Sequence, residues 1–106
     1  TLREADGLAM SSRNSYLDSE QRQAATILYE ALQLAKRLYD TGERDAEQIR
    51  QKIEAHIHKQ PLVNIEYISL TDTGTLDEFK RIEPPALVSL AVRIGNTRLI
   101  DNIVLT

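Results

Sequence analysis

The run from Asp18 to Gly42 constrains this chain more than any other stretch. Ala24, Ile27, Leu28, Ala31, Leu32, Ala35, Leu38 and Tyr39 recur three and four residues apart, which lays a wide apolar stripe along one face of a helix. "LDSEQ" announces the start: Asp18 as N-cap with Gln21 three residues on makes a capping box, and Glu20 adds a favourable first-turn charge. Gly42 stops the helix, with Lys36 and Arg37 near its C-terminal end. Such a stripe must be buried against something, so the rest of the chain has to supply a second apolar layer.

Asp45 with Gln48 repeats the capping signal, and Ile49, Ile53, Ala55 and Ile57 give a second, weaker stripe ended by Gln60-Pro61. Beyond Pro61 the pattern changes to period two. In "LVNIEYISL", Val63, Ile65 and Tyr67 are expected on one face, with Asn64, Glu66, Ile68 and Leu70 on the other. "TDTGTLDEF" reads as turn, with one short helical turn near Asp77 to Phe79. After Pro84-Pro85, "ALVSLAVRI" places Val88, Leu90, Val92 and Ile94 on one clean face. "GNT" is a tight link and "RLIDNIVL" the returning strand. The expected fold is α+β: two helices packed on a three-stranded, mainly antiparallel sheet, preceded by a loop-like N-terminal segment. We divide it into an entering segment, residues 1–17, and a domain proper, residues 18–106.

With 106 residues the chain is one domain by length, large enough for a core but not for a deep two-walled pocket. Sixteen carboxylates against 13 basic side chains argue against a non-specific nucleic-acid binder. The absence of cysteine removes disulfides, thiolate nucleophiles and thiolate metal sites, and fits a cytoplasmic protein. Its apolar stretches are far shorter than the roughly 20 residues that cross a bilayer. A start at Thr1, directly into a polar segment, is expected of a piece of something larger.

Several groups could carry chemistry. His56 and His58 are two apart, so on a helix they diverge by about 200° and no clustered ligand completes a metal set; they read as surface histidines. Glu66, Asp72, Asp77, Glu78 and Glu83 have no spacing that selects a catalytic pair and read as a solvated acidic face. Asp101-Asn102 interrupts an apolar strand. It is either a ligand contact or a register device in which Asp101 pairs with Arg98 or Arg93 across the sheet. In "LAMSSRN", Ser11 and Ser12 offer donors and Arg13 carries a planar fork suited to phosphate oxygens. Gly7 lets the backbone approach something closely, and Arg3 adds a second charge. The same pattern also suits an ordinary solvated loop before a helix, although Leu8-Ala9-Met10 need a surface to pack on.

"READGLAMSSRNSYL" and "RLIDNIVL" resemble the C-terminal portion of the pantothenate synthetase (pantoate–β-alanine ligase) family. "DGLAMSSRN" followed by "YL" and a capped helix is one specific match, and "GNTRLIDN" is a second, independent one. The resemblance runs over essentially the whole chain. It implies an ATP-dependent ligase of coenzyme A precursor biosynthesis. That enzyme activates pantoate as pantoyl-adenylate, releases pyrophosphate, and joins it to β-alanine to give pantothenate and AMP. It also implies an amino-terminal Rossmann-like domain, absent here, over which this smaller domain closes as a lid.

Carried over by position, Met10, Ser11, Ser12 and Arg13 line the ATP site, with Ser11, Ser12 and Arg13 at the phosphates. Leu2 matches the position whose backbone meets adenine, while Arg3 acquires no ligand from the resemblance. Ser12 and Arg13 would assist phosphate stabilisation, and no catalytic residue in the strict sense lies in this chain. The family's histidine motif and its pantoate-holding residues belong to the other domain, as do most of those that orient β-alanine. Mg2+ is expected to accompany ATP without being ligated here. The implied parent is a cytoplasmic homodimer, in some members fused to a nucleotide kinase. This chain alone is expected to be inactive and to bind ATP feebly, with residues 1–17 disordered or displaced for want of the surface that Leu8 and Met10 pack on. The competing reading is a small α+β interaction module whose apolar sheet face meets a partner protein. No nucleic acid or membrane partner is expected on either reading.

Overall fold

The computed structural model describes residues 2–5 and 7–106. A 3-10 turn at Ser12–Tyr16 leads into α1 (Ser19–Ala25), α2 (Ile27–Asp40) and α3 (Ala46–Ile57), followed by β1 (Val63–Asp72), β2 (Ala86–Ile94) and β3 (Thr97–Leu105). The strands form one antiparallel sheet in the order β1-β2-β3, and the helices cover one of its faces, as the α+β reading expects.

Local chemistry accounts for the helix ends. Asp18 accepts from the Gln21 amide at 2.8 Å while the Gln21 side chain accepts from the Asp18 amide at 3.2 Å, so the capping box is closed in both directions. Asp45 caps α3 by accepting from the amides of Glu47 and Gln48. At the end of α2, Gly42 adopts φ +106. Its amide and that of Glu43 return to the carbonyls of Tyr39 and Leu38, a Schellman arrangement that glycine permits without steric cost.

The expected single helix is two. Thr26 separates α1 from α2, because both its amide (3.3 Å) and its hydroxyl (2.7 Å) turn back to the Gln23 carbonyl. That tightens the last turn of α1 and interrupts the regular ladder there. The apolar stripe survives the break: Ala24, Leu28, Ala31, Leu32, Ala35 and Tyr39 are all buried. On α3 the buried face is Ala46, Ile49, Ile53 and Ile57; Ala55 is exposed, contrary to its assignment to the stripe.

β2 is the centre of the sheet, and Val88, Leu90, Val92 and Ile94 lie at most 1% exposed against the helices. β1 departs from simple alternation. Its register with β2 shifts between Ile65 and Tyr67, so Glu66 is an extra residue and the faces exchange beyond it. Val63, Ile65, Ile68 and Leu70 therefore share the core side, whereas Tyr67 is turned out and 42% exposed. The short helical turn expected near Asp77 to Phe79 is absent there. Asp72 Oδ1 accepts from the amides of Gly74 and Thr75, an Asx turn, and the chain then folds back so that Phe79 donates to the Leu70 carbonyl.

The described residues of the entering segment, 2–5 and 7–17, are seated on the domain rather than displaced from it, and Thr1 and Asp6 lie outside the described residues. Leu8 is 2% exposed and belongs to the same apolar cluster as Leu28, Leu32 and Leu99, while Met10 is left 58% exposed. Among the described residues no helix is long and apolar enough to cross a membrane.

Candidate functional site

The described part of the entering segment closes on itself before it reaches the serines. The Met10 amide donates to the Leu2 carbonyl (2.9 Å) and the Glu4 amide to the Leu8 carbonyl (2.8 Å). Arg3 and Ala9 form an antiparallel bridge. This narrow loop is tied to the domain at two places. Arg3 makes a two-pronged ion pair with Asp101 of β3, Nη1 to Oδ2 at 2.7 Å and Nη2 to Oδ1 at 3.0 Å. On the other side Asn14, 7% exposed, donates to Glu4 Oε2 (2.6 Å) and to the Ala9 carbonyl (3.0 Å), and Arg22 of α1 reaches the same Glu4 oxygen at 3.0 Å.

Out of this anchored base the chain presents Met10, Ser11, Ser12 and Arg13, all exposed. Ser11 is extended, and its hydroxyl accepts from the Arg13 amide at 3.2 Å. Leu2, 79% exposed, is held beside Met10 by the backbone bond between them. All five residues singled out from the sequence thus share one strip along the rim of the domain. Two of the open hollows that border the strip reach away from the core. One, of about 700 Å³, runs toward the β2–β3 hairpin and is lined by Arg13, Tyr16, Gln21, Asn96 and Arg98, among others. The other, of about 750 Å³, is lined by Met10, Ser11, Ser12, Ser15, Arg22 and neighbours.

The charges around this strip are not equivalent. Arg3 faces Asp101, Arg22 faces Glu4, and Arg98 faces Glu66 at 2.6 Å. Arg13 has no carboxylate partner among the described residues; its Nη1 lies 3.4 Å from the Arg98 carbonyl, a long contact. One guanidinium with an uncommitted charge beside two exposed serines is an arrangement that can receive phosphate oxygens.

The other candidates do different work. Asp101 is 4% exposed and pairs with neither Arg98 nor Arg93, because both of those project from the opposite face of the sheet and are bound to Glu66. The Arg98 hydrogen bond, with help from Arg93, holds the Glu66 carboxyl below the usual carboxylate range, and Glu66 in turn raises Arg98. Asp72 is also lowered, by the Thr75 and Gly74 amides of its turn. Glu78 is bound to Arg50 at 2.9 Å, so the carboxylates do not converge on a reactive pair. His58 is exposed, whereas His56 is half-buried and faces Glu30 of α2 at 3.9 Å. Among the described residues no group of three or more His, Cys, Asp or Glu could hold a metal ion.

Sequence reasoning missed the Arg3–Asp101 pair, although its signal was present. Leu99, Asp101, Ile103 and Leu105 alternate, so Asp101 shares the inward parity of its apolar neighbours and has to find a cation from the helix side.

Fold and rim strip together define a small two-layer α+β domain that presents a hydroxyl-and-guanidinium loop at one end. The family model for pantoate-beta-alanine ligase matches residues 1–104, and the chain belongs to that family. It is 55% identical over 106 residues to the pantothenate synthetase of Herpetosiphon aurantiacus, covering 99% of this chain and 38% of that protein. It is 51% identical over 105 residues to that of Pelotomaculum thermopropionicum, covering 99% and 37%. The chain therefore spans little more than a third of the length of these curated relatives. Among solved structures, the pantothenate synthetase of Thermus thermophilus superposes with a TM-score of 0.90 at 35% identity, over 97% of this chain and 37% of that one. The pantoate-beta-alanine ligase of Francisella tularensis, solved in complex with Beta-gamma ATP and beta-alanine, gives a TM-score of 0.56 at 27% identity, over 98% and 31%.

Proposed function

We propose that this chain supplies the lid and phosphate-contacting loop of an ATP-dependent ligase that condenses pantoate with β-alanine. In this reading pantoate's carboxylate attacks the α-phosphorus of ATP, the bond to the β-phosphate breaks, and pyrophosphate leaves. The amine of β-alanine then attacks the acyl carbon of pantoyl-adenylate, giving pantothenate and AMP. Ser11 and Ser12 donate to phosphate oxygens, Arg13 offsets the charge that develops as pyrophosphate departs, and Met10 and the Leu2 backbone border the nucleotide. The observation that carries the reading is the uncommitted charge of Arg13 beside the two serines, on a chain of this family. Family membership and the short span relative to whole relatives support a second wall supplied by a Rossmann-like domain outside this sequence. That domain would carry the pantoate-binding residues, most of those for β-alanine, and any ligands to the Mg2+ accompanying ATP. Residues 1–17 would belong to the interdomain site and residues 18–106 to the lid, in a cytoplasmic homodimer.

The test is Arg13→Ala in the full-length ligase. Pyrophosphate release should fall by about 100-fold or more, as when one donor to a developing anion is removed. The urea midpoint should be unchanged, because Arg13 is exposed. Near-wild-type pyrophosphate release by the folded variant would remove Arg13 from the phosphate role.

A further inference from the structure

Asp101 is a buried carboxylate that apolar packing does not explain. Its carboxylate side chain is 1% exposed on the inner face of an edge strand, in register with Leu90 and flanked along β3 by Leu99 and Ile103. A buried ion pair is a poor device for stability, since apolar residues of similar volume would serve as well or better. What a carboxylate–guanidinium fork provides is direction, because two parallel hydrogen bonds fix both distance and angle. Arg3 is further constrained. Its Nη1 donates to the Gly7 carbonyl at 3.0 Å, and its guanidinium lies over the Tyr29 ring of α2 at 4.7 Å.

The turn that Arg3 grips is seated just as closely. Gly7 has φ +90, and a Cβ there would come within 2.5 Å of Tyr29 Cδ2, so the backbone lies flush on the ring. Arg3 and Gly7 thus sit on the same tyrosine, and Asp101 holds Arg3 from below. The Arg3–Ala9 bridge and the Leu2–Met10 backbone bond transmit that seating directly to the start of Met10-Ser11-Ser12-Arg13.

We propose that Asp101, acting through Arg3, is a positioning residue that sets the placement of the Ser11–Arg13 loop against the phosphates of ATP. The proposal rests on the ligase reading above. Asp101 touches no substrate in this scheme. It makes β3 the reference for the loop, so that lid and loop move as one body and the donors arrive preorganised. Misplacement of such donors by about 1 Å can cost on the order of 100-fold, far more than the same shift costs a surface loop.

The experiment compares wild type, Asp101→Asn and Arg3→Lys in the full-length ligase, by pantoate-dependent ATP–pyrophosphate exchange and by pantothenate formation from supplied pantoyl-adenylate. Arg3→Lys keeps a positive charge but loses the fork, and it carries the test if Asp101→Asn does not fold. Each variant should raise the KM for ATP by on the order of tenfold, with the KM for pantoate and the second step within about twofold of wild type. The double variant should be no worse than Asp101→Asn alone, because the two residues act as one strut. A merely structural role predicts that both half-reactions fall in proportion to the folded fraction while the KM for ATP stays put, and that result would overturn the proposal. Wild-type protein without pantoate-dependent exchange would overturn the ligase reading itself. Normal wild-type exchange with an unchanged KM for ATP in folded variants would overturn the positioning role alone.

Discussion

Glu66 on β1 meets Arg98 on β3 at 2.6 Å, reaching past the intervening strand β2, where it also takes Arg93 at 3.3 Å. It can do so because it is the bulged residue of β1; a bulge re-aims a side chain that regular pleating would commit to one position. The result is a charged clasp across the face of the sheet that the helices leave open.

The clasp makes stability depend on pH in a stated direction. Bonding to Arg98 holds Glu66 below its ordinary value of 4.5 in the folded chain. Its contribution is therefore fully present above that unfolded value and is lost as pH falls through the lower folded value. Glu66→Gln should lower the urea midpoint near neutral pH and converge with wild type well below pH 4.5. Because the group is exposed, about 1 M salt, where the Debye length is about 3 Å, should shrink the difference. Parallel midpoints for the two proteins across the whole pH range would show that the clasp contributes nothing. Asp72, also lowered, titrates in the same direction in both proteins and cancels in the comparison.

Two glycines with the wrong φ for other residues should respond differently to alanine. Gly42, at φ +106, has nothing within 4 Å of the place a methyl group would take, so Gly42→Ala should cost only the backbone term, about 1 kcal/mol. Gly7→Ala adds a steric conflict with Tyr29 to the same backbone term, and overpacking of that kind costs about 1–3 kcal/mol more. The strain can be relieved by lifting the entering loop off Tyr29 without unfolding the domain. Hydrogen exchange separates the two cases: Gly7→Ala should accelerate exchange of the Met10 amide, which bonds to Leu2, while Gly42→Ala leaves that amide protected. Equal protection of Met10 in both variants would contradict the seating of Gly7 on the ring.

What is legible in the letters is what is local. The capping pair Asp18–Gln21 lies within one turn and closes in both directions as spelled, while Asp45 accepts from the Gln48 amide but gives its own amide to Glu43. The inward face of β2 also forms as spelled, where Val88, Leu90, Val92 and Ile94 are all buried. The Thr26 break is hidden because the apolar stripe continues through it, and only a hydroxyl bond three residues back interrupts the ladder. The bulge at Glu66 is hidden because Ile65, Tyr67 and Ile68 are all apolar, so two parities fit the same letters. For the candidate site, the chemistry of Ser11, Ser12 and Arg13 is visible in the letters, but their anchorage is not. It depends on Arg3 meeting Asp101 across 98 positions of sequence, a contact that exists only once the sheet and helices have packed.

That anchorage changes the expectation for this chain by itself. Leu8 is in the core and Arg3 is paired, so the loop should hold its shape without a partner domain, with uniform heteronuclear NOEs for residues 7 to 13. Ligand affinity is a separate matter, because a single wall offers ATP few of the contacts needed to offset lost translational and rotational freedom. On addition of ATP, amide shifts should be small and confined to residues 2 to 13. ATP, pantoate and β-alanine together should yield no AMP, since the reaction needs both reactants held in one preorganised cleft. Measuring both on the same sample separates the two claims: a mobile loop would contradict the anchorage, whereas sustained AMP formation would contradict the need for a second wall.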